Sequence, residues 1–304
     1  MYNQKNLFRS GFLFIFVLCL AGCGDNAPID EDITASMIAA GESKSGSSEN
    51  AGKVQEIFYS VPSPMEMASM LKKAGAIYDV KMLNDVKNVH NYTTAKSKAL
   101  NLGIYGADLS YASVFNQNQE SIIYLSCAKK LADNLGVTKA FNDETIERIE
   151  ANVDNRDSLL TIVSETYYLL DAYLKENGRD HVSALIITAG WVEGLYLSTA
   201  IAAEENNPSD ELMIRIADQK LSLQNLIELV KAYNTNNQID EIVADLTAID
   251  QAFSGVTHTK SPAGNPVSTG GVTVIGGKTE TQISKIDLIE ITRVISEIRT
   301  RYIS

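Results

Sequence analysis

The sequence is poor in the residues that build cross-linked, metal-dependent or collagen-like proteins. Its 304 residues include three cysteines, six prolines, three histidines and one tryptophan, while 45% of the chain is hydrophobic. Disulfide-rich, collagen-like and intrinsically disordered classes are excluded, because each of them needs a composition far from this one. What remains is the composition of an ordinary globular protein.

Positive charge is also scarce. Lysine and arginine number 26 against 38 aspartates and glutamates, which gives a formal net charge of −12. A surplus of carboxylates opposes binding to phosphate backbones and to anionic membrane surfaces. We therefore predict that the protein has no nucleic-acid partner.

Standard catalytic and metal-binding motifs are missing. The histidines, His90, His181 and His258, form no H-E-x-x-H pair, and there is no cysteine cluster. No nucleophile elbow of the G-x-S-x-G type occurs either. The motifs therefore predict no metal, no cofactor and no catalytic residue set.

The N-terminus carries the most specific pattern in the chain. Two basic residues precede the apolar run Gly11–Leu20, which ends in Leu-Ala-Gly-Cys at Cys23. A run of about ten residues is too short for a bilayer, which needs roughly twenty. The pattern resembles a bacterial lipoprotein signal peptide with its lipobox, and the resemblance implies cleavage after Gly22 and lipid on Cys23. The alternative is an unmodified Cys23 after a general secretory signal.

The lipobox resemblance implies attachment to a membrane of the cell envelope. Known inner-membrane retention signals place aspartate directly after the cysteine, whereas this chain has Gly24, so the outer membrane is favoured over the inner. Residues 1–22 are then the signal peptide. Residues 23–53, dominated by Gly, Ser, Asp, Glu and Asn, are expected to form a flexible tether, and residues 54–304 the folded domain.

Helix signals recur throughout that domain. Ser63-Pro64-Met65-Glu66 combines a capping box with proline at the first helical position, and Gly136 and Gly178 follow long amphipathic stretches. Ser284 opens a last amphipathic helix. About nine helices joined by short polar connections predict an all-α fold, either an antiparallel multi-helix bundle or a helical-hairpin array.

One segment, residues 254–283, departs from the helical pattern because it is rich in Gly, Thr, Ser and Pro. Its β-branched runs Val256–Thr259 and Val272–Ile275 are able to pair as a small hairpin. The other interpretation is a long loop inserted between helices.

Glycines and small residues recur at helical spacing in two stretches. Gly103 and Gly106 belong to one stripe, and Gly190 and Gly194 to the other. Each glycine inside a helix costs about 1 kcal/mol relative to alanine, so several together indicate a compensating benefit. Close helix crossing is the favoured benefit, and a cavity above the stripes is the sharper alternative.

Two acids accompany these glycines. Asp108 shares a helical face with Tyr105 and Tyr111, and Glu193 shares one with Tyr196. If buried, such an acid has to pair, accept hydrogen bonds or take up a proton, and a concave site of this kind suits a cationic or hydroxylated small ligand. A structural polar network or a solvated face is the favoured alternative. The candidate pocket comprises Gly103, Tyr105, Gly106, Asp108, Tyr111, Gly190, Glu193, Gly194 and Tyr196.

Cys127 has no partner if Cys23 carries lipid. Its helical neighbours Tyr124, Leu131 and Leu135 form an apolar stripe, and no histidine lies within reach along the helix. We therefore expect a buried core thiol rather than a nucleophile.

A family resemblance becomes visible beyond the lipobox. The stretch Ile57–Met67, IFYSVPSPMEM, followed by Leu71–Ala76, resembles the opening of uncharacterised helical lipoproteins from Bacteroidetes-type Gram-negative bacteria. The segment Gly103–Leu109 is similar to theirs as well. The resemblance implies an envelope location and supplies no catalytic residue.

Two functions from different classes remain. The preferred one is a lipid-anchored binding or scaffolding protein that engages an envelope protein or a small ligand. The alternative is a hydrolase or lyase that uses Asp108 or Glu193 as general acid or base, which requires two groups with separated pKa values in one cleft.

Overall fold

In the computed structural model, the described residues are 60–139, 142–204, 208–260, 267–269, 272–274 and 279–304. Within these ranges the chain forms nine α-helices, three short 3-10 turns and four short strands, so the predicted all-α class is confirmed. The predicted signal peptide, the cleavage site at Gly22, the lipid site Cys23 and the tether lie outside the described residues.

Most of the helices follow one another with short connections, and longer segments separate α1 from α2 and α8 from α9. Their bounds are α1 Pro64–Lys73, α2 Ala95–Val114, α3 Asn118–Leu135, α4 Asp143–Ala151, α5 Arg156–Glu176, α6 Asp180–Glu204, α7 Asp210–Tyr233, α8 Asp240–Ala252 and α9 Lys285–Ile303.

The predicted start and stop signals act where the sequence placed them. Ser63 caps α1 through a complete capping box with Glu66, and Ser284 caps α9 through one with Asp287. Gly136 ends α3 with φ of 68°, a left-handed conformation that glycine adopts without steric cost. Helix α2 begins at Ala95, where the Thr94 side chain provides the N-cap.

The inserted segment contains two antiparallel strand pairs rather than the one that we predicted. Strand β1, Thr257–Lys260, pairs with β4, Thr279–Gln282, while β2, Val267–Thr269, pairs with β3, Val272–Val274. The predicted pairing of Val256–Thr259 with Val272–Ile275 is therefore wrong. Two residues, both glycine, separate β2 from β3, and short connections of this type favour pairing between sequence neighbours.

Helices α2 and α6 form the centre of the fold. Every residue of α2 from Ala99 to Val114 is buried, and α6 is buried along most of its length. Helices α1 and α3 pack on α2, while α7 and α9 pack on α6. Helix α6 has the length and hydropathy of a membrane span, but 83% of its apolar window is buried within the fold, as expected of a core helix.

The two central helices touch through their backbones. A Cβ atom on Gly103 would lie 2.1 Å from the Ile186 carbonyl oxygen and 2.8 Å from the Gly190 nitrogen. No side chain fits there, so glycine permits the approach. The favoured prediction of close helix crossing is confirmed at this pair.

A connection of two 3-10 turns, Val80–Met82 and Val86–His90, joins α1 to α2. Asp79 and Asp85 cap these turns by accepting backbone N–H hydrogen bonds. This connection, residues 76–92, lies beside the polar groups described next.

Candidate functional site

The centre of the fold contains a buried ion pair between Glu193 of α6 and Arg299 of α9. Arg299 Nε donates to Glu193 Oε2 and a terminal nitrogen of Arg299 donates to Glu193 Oε1, both at 2.9 Å. The exposed fraction of Glu193 is 0% and that of Arg299 is 8%. Two parallel hydrogen bonds make this the strongest geometry that an arginine and a carboxylate adopt.

Arg299 makes two further contacts. It donates to the Met82 carbonyl oxygen at 3.1 Å, and its guanidinium lies 4.4 Å from the centroid of the Tyr196 ring. Burial acts to lower the pKa of Arg299, but the Glu193 charge and hydrogen bonds outweigh burial and raise it. Arg299 is therefore a permanent cation that ties α9 to α6 and to the 76–92 connection.

Asp108 of α2 is the second buried acid, with an exposed fraction of 0%. Its Oδ2 accepts a hydrogen bond from the Asn84 backbone N–H at 3.2 Å, whereas no donor reaches its buried Oδ1. The Glu193 charge lies close enough to act on the Asp108 carboxyl group. We name Asp108, Glu193 and Arg299 the polar cluster.

The charge balance of the polar cluster decides which of its carboxyl groups is protonated. Burial and the nearby Glu193 charge raise the pKa of Asp108 well above its ordinary value, and the Arg299 charge offsets them only in part. Because Arg299 already neutralises Glu193, a second carboxylate would be an unpaired buried charge. The raised pKa therefore makes Asp108 the protonated member of the polar cluster.

Amide side chains extend the network from the cluster to the C-terminus. Asn84 Nδ2 donates to the Tyr92 hydroxyl at 2.9 Å and to Asn101 Oδ1 at 3.2 Å. Asn101 Nδ2 in turn donates to the Tyr302 carbonyl oxygen at 2.8 Å, near the end of α9. The network thus joins the 76–92 connection, α2 and α9 through satisfied buried groups.

The predicted phenols do not serve the acids. Tyr105 donates to the Asp85 carbonyl oxygen at 3.0 Å and Tyr111 to the Ile77 carbonyl oxygen at 3.2 Å. Both hydroxyls thus hold the 76–92 connection against α2. Tyr196 approaches the polar cluster through its ring, by way of Arg299, rather than through a hydroxyl contact with Glu193.

The four candidate glycines lie where other parts of the protein approach closely. Gly103 and Gly190 form the backbone contact of α2 with α6, while the Met67 side chain packs over Gly194. At Gly106, an added Cβ would lie 2.3 Å from the Tyr167 hydroxyl oxygen. The structure therefore brings Asp108, Glu193 and Tyr196 together and places the glycines at packing contacts around them.

Two cavities lie on the α5 side of these glycines. The inner cavity, about 30 Å³, is bounded by α2, α3, α4, α5 and α6 and has an almost wholly apolar lining. The outer cleft, about 160 Å³, lies between the start of α1, α5 and α6. Tyr167 is the residue that lines both, and neither includes a member of the polar cluster in its lining.

Reasoning from the sequence missed Arg299, Asn84 and Tyr167. Arg299 had a usable signal, because it lies four residues after Ile295 and three before Tyr302, on the apolar face of α9. A lone charge on an apolar face indicates a buried partner. Asn84 and Tyr167 had no comparable signal.

Cys127 was a further candidate residue, outside the polar cluster. Cys127 is buried, as predicted, and burial raises the pKa of its thiol to about 11, which opposes nucleophilic use. Across the described ranges, no group of three His, Cys, Asp or Glu residues is arranged to hold a metal ion.

The chain matches no family model, no curated protein and no solved structure.

Proposed function

We propose that the protein is a lipid-anchored component of the cell envelope, in the outer membrane rather than the inner, with a binding or scaffolding role. The lipobox ending at Cys23 supports the anchor, and the polar composition of residues 23–53 supports a tether between the lipid and the folded domain. A residue that carries both a thioether-linked lipid and an acyl chain has two membrane anchors, and two anchors are sufficient for stable attachment.

The observation that supports a binding role is that the polar cluster is enclosed within the fold. Glu193 and Arg299 use each other as partners, and Asp108 and Asn84 complete the set inside the fold. Because Glu193 and Arg299 are buried and paired, and Asp108 Oδ2 accepts from Asn84, these groups stabilise the packing of three helices and one connection. Recognition is then left to the surface and to the outer cleft.

Exposed isoleucines support a role in contacts with other molecules. Ile77, Ile286 and Ile289 have exposed fractions of 84%, 78% and 68%. Ile289 also lines a surface groove formed by the start of α9 with Ala202 and Pro208. Apolar side chains that stand beside a groove favour a protein–protein contact.

The experiment for the anchor compares the wild-type chain with Cys23→Ser in cells grown with labelled palmitate. We expect label and membrane fractionation for the wild type, and neither for the variant. Photo-crosslinking from position 286 then tests the surface, with position 240, at an exposed aspartate on α8, as the control. An unlabelled wild-type chain, or equal crosslinking at both positions, contradicts the proposal.

One observation favours the alternative function, a carboxylate-dependent hydrolase or lyase. Asp108 and Glu193 are adjacent and differ in charge state, as a general acid and base require. A substrate would have to displace the 76–92 connection to reach them. Hydrolytic activity toward envelope glycans or esters that is lost in Asp108→Asn, with folding intact, would establish this alternative.

A further inference from the structure

The outer cleft and the inner cavity are separated by one side chain, Tyr167. Its ring lines both spaces, and its hydroxyl oxygen lies 3.7 Å from where a Cβ atom on Gly190 would be. The absence of side chains at Gly106 and Gly190 therefore makes the room that the phenol occupies. Among the described residues, the Tyr167 hydroxyl has no hydrogen-bond partner.

Tyr167 is half-buried and packs against two helix backbones without a polar contact to hold its hydroxyl. A hydroxyl of this kind in the wall of a cleft is available to water or to a ligand. Outward rotation of Tyr167 would join the inner cavity to the outer cleft, because no other residue lines both. Tyr167 thus forms the floor of the outer cleft.

The size and lining of the outer cleft define the ligand that it fits. A cavity of about 150 Å³ holds one benzene ring, and the cleft volume of about 160 Å³ is similar. Ile187, Trp191 and Pro64 supply an apolar wall, while Ser63 and Ser164 are polar residues of the same lining. An apolar wall with a few polar groups is the usual construction of a small-molecule site.

The cleft has a negative charge at its mouth. Glu66 is the charged residue in the lining, and one of its oxygens, Oε2, accepts from the Ser63 backbone N–H at 2.7 Å. Its other oxygen is not needed for the capping box. The carboxylate is exposed, so its attraction for a cation is modest, but it disfavours an anion in the same position.

We propose that the outer cleft binds small organic cations with one apolar group about the size of an aromatic ring. The ring lies against Trp191 and Ile187 above Tyr167, and the ammonium group lies at Glu66. This inference rests on the proposed binding function and names its ligand class.

The test uses three probes that share one ring and differ in charge: benzylamine, benzyl alcohol and benzoate. Each is titrated into the purified full chain while the fluorescence of Trp191, the single tryptophan, is recorded. We expect saturable changes, with benzylamine bound roughly fivefold more tightly than benzoate, since both attraction and repulsion at Glu66 contribute. Benzyl alcohol should fall between them.

The variant Glu66→Gln isolates the charge. Glutamine keeps the capping box, so α1 retains its start, but the preference for benzylamine over benzoate should disappear. The matched control is Glu120→Gln, which removes a carboxylate from a separate groove and should leave the preference unchanged. A preference that survives Glu66→Gln overturns the assignment of the ammonium site.

The variant Gly106→Ala isolates the floor. The new methyl group pushes the Tyr167 hydroxyl toward the cleft, so less of the ring of each probe is buried. All three probes should therefore bind more weakly, by about threefold or more. Unchanged affinities in this variant, or fluorescence changes that do not saturate in the wild type, overturn the cleft as a binding site. Palmitate labelling and fractionation do not depend on these titrations, so the two proposals fail separately.

Discussion

The polar cluster and the outer cleft are built on opposite faces of the same helix, α6. Glu193 points toward Arg299 and Asp108, and Trp191, two residues earlier, lines the outer cleft. In the cluster Glu193 and Arg299 pair with each other, and no member of the cluster lines either of the two cavities. In the cleft the Tyr167 hydroxyl lacks a described partner and space remains beside it.

This difference distinguishes a structural polar group from a binding one. A buried charge that is paired and hydrogen-bonded inside the fold stabilises one arrangement of the helices, because any change leaves it unpaired. A polar group with a missing partner beside a cavity is instead available to a ligand. We therefore expect variants of the cluster to change stability and variants of the cleft to change binding.

The largest effect is expected for Arg299→Met, which leaves Glu193 buried without its cation. The free energy of unfolding should fall by about 3–5 kcal/mol, as for other broken buried pairs. Urea denaturation measures it, and Arg293→Met is the control, because Arg293 forms solvent-exposed pairs with Glu290 and Glu297 on the same helix. Equal losses in both variants would mean that the cluster does not differ from surface ion pairs.

Gly103→Ala should have the next largest effect on the free energy of unfolding. The new methyl group would overlap the Ile186 carbonyl oxygen and the Gly190 nitrogen, and both belong to a helix backbone. Helices α2 and α6 then have to separate, so we expect a loss of about 3 kcal/mol, at the upper end of overpacking effects. A thermal melt that matches the wild type would contradict the close crossing.

Asp108→Asn tests the protonation of the cluster. The raised pKa means that the folded state keeps a proton that the unfolded state releases above about pH 4, so wild-type stability falls as pH rises from there toward the folded pKa. Asparagine is neutral at every pH and keeps an oxygen that accepts the Asn84 backbone N–H hydrogen bond. The free energy of unfolding of the variant should therefore rise relative to that of the wild type by about 1.4 kcal/mol for each pH unit in that range.

Urea unfolding of Asp108→Asn and the wild type from pH 4 to pH 7 measures this difference. Other carboxyl groups titrate in both proteins, so the comparison between them isolates Asp108. A difference that stays constant with pH would show that Asp108 is ionised in the folded state.

Gly106→Ala should have the smallest effect on stability. Here the methyl group meets the hydroxyl end of Tyr167, a side chain that is able to rotate, and alanine gains about 1 kcal/mol of helix propensity. The two contributions should nearly cancel, to within about 1 kcal/mol. Together with Gly103→Ala, this variant compares a glycine that contacts a helix backbone with a glycine that contacts the end of a side chain.

Local signals account for the parts of the fold that the sequence predicted well. Ser63 with Glu66, Ser284 with Asp287, and Gly136 act within four residues of one helix end, so their geometry is set by neighbouring backbone. The strand pairing in 254–283 was less predictable, because β-branched residues occur in several short runs there. Register depends on which runs meet, which composition does not specify.

The candidate site divides in the same way. The glycines and acids of α2 and α6 were singled out as a candidate pocket, and the structure buries Asp108 and Glu193 at the centre of the fold. The identity of each contact was not local. Arg299 lies 106 residues from Glu193 in the chain, and Tyr167 reaches Gly106 from a different helix.

The sequence alone determined the helical class, the helix ends at Ser63, Gly136 and Ser284, and the glycine-rich stretches where helices approach closely. These follow from periodicity, capping and the cost of glycine inside a helix. Tertiary structure alone decided that Arg299 resolves the charge, that Asp108 keeps a proton and that Tyr167 occupies the space over Gly106. The reason is that pairing, burial and cavity shape arise only when helices distant in sequence pack against one another.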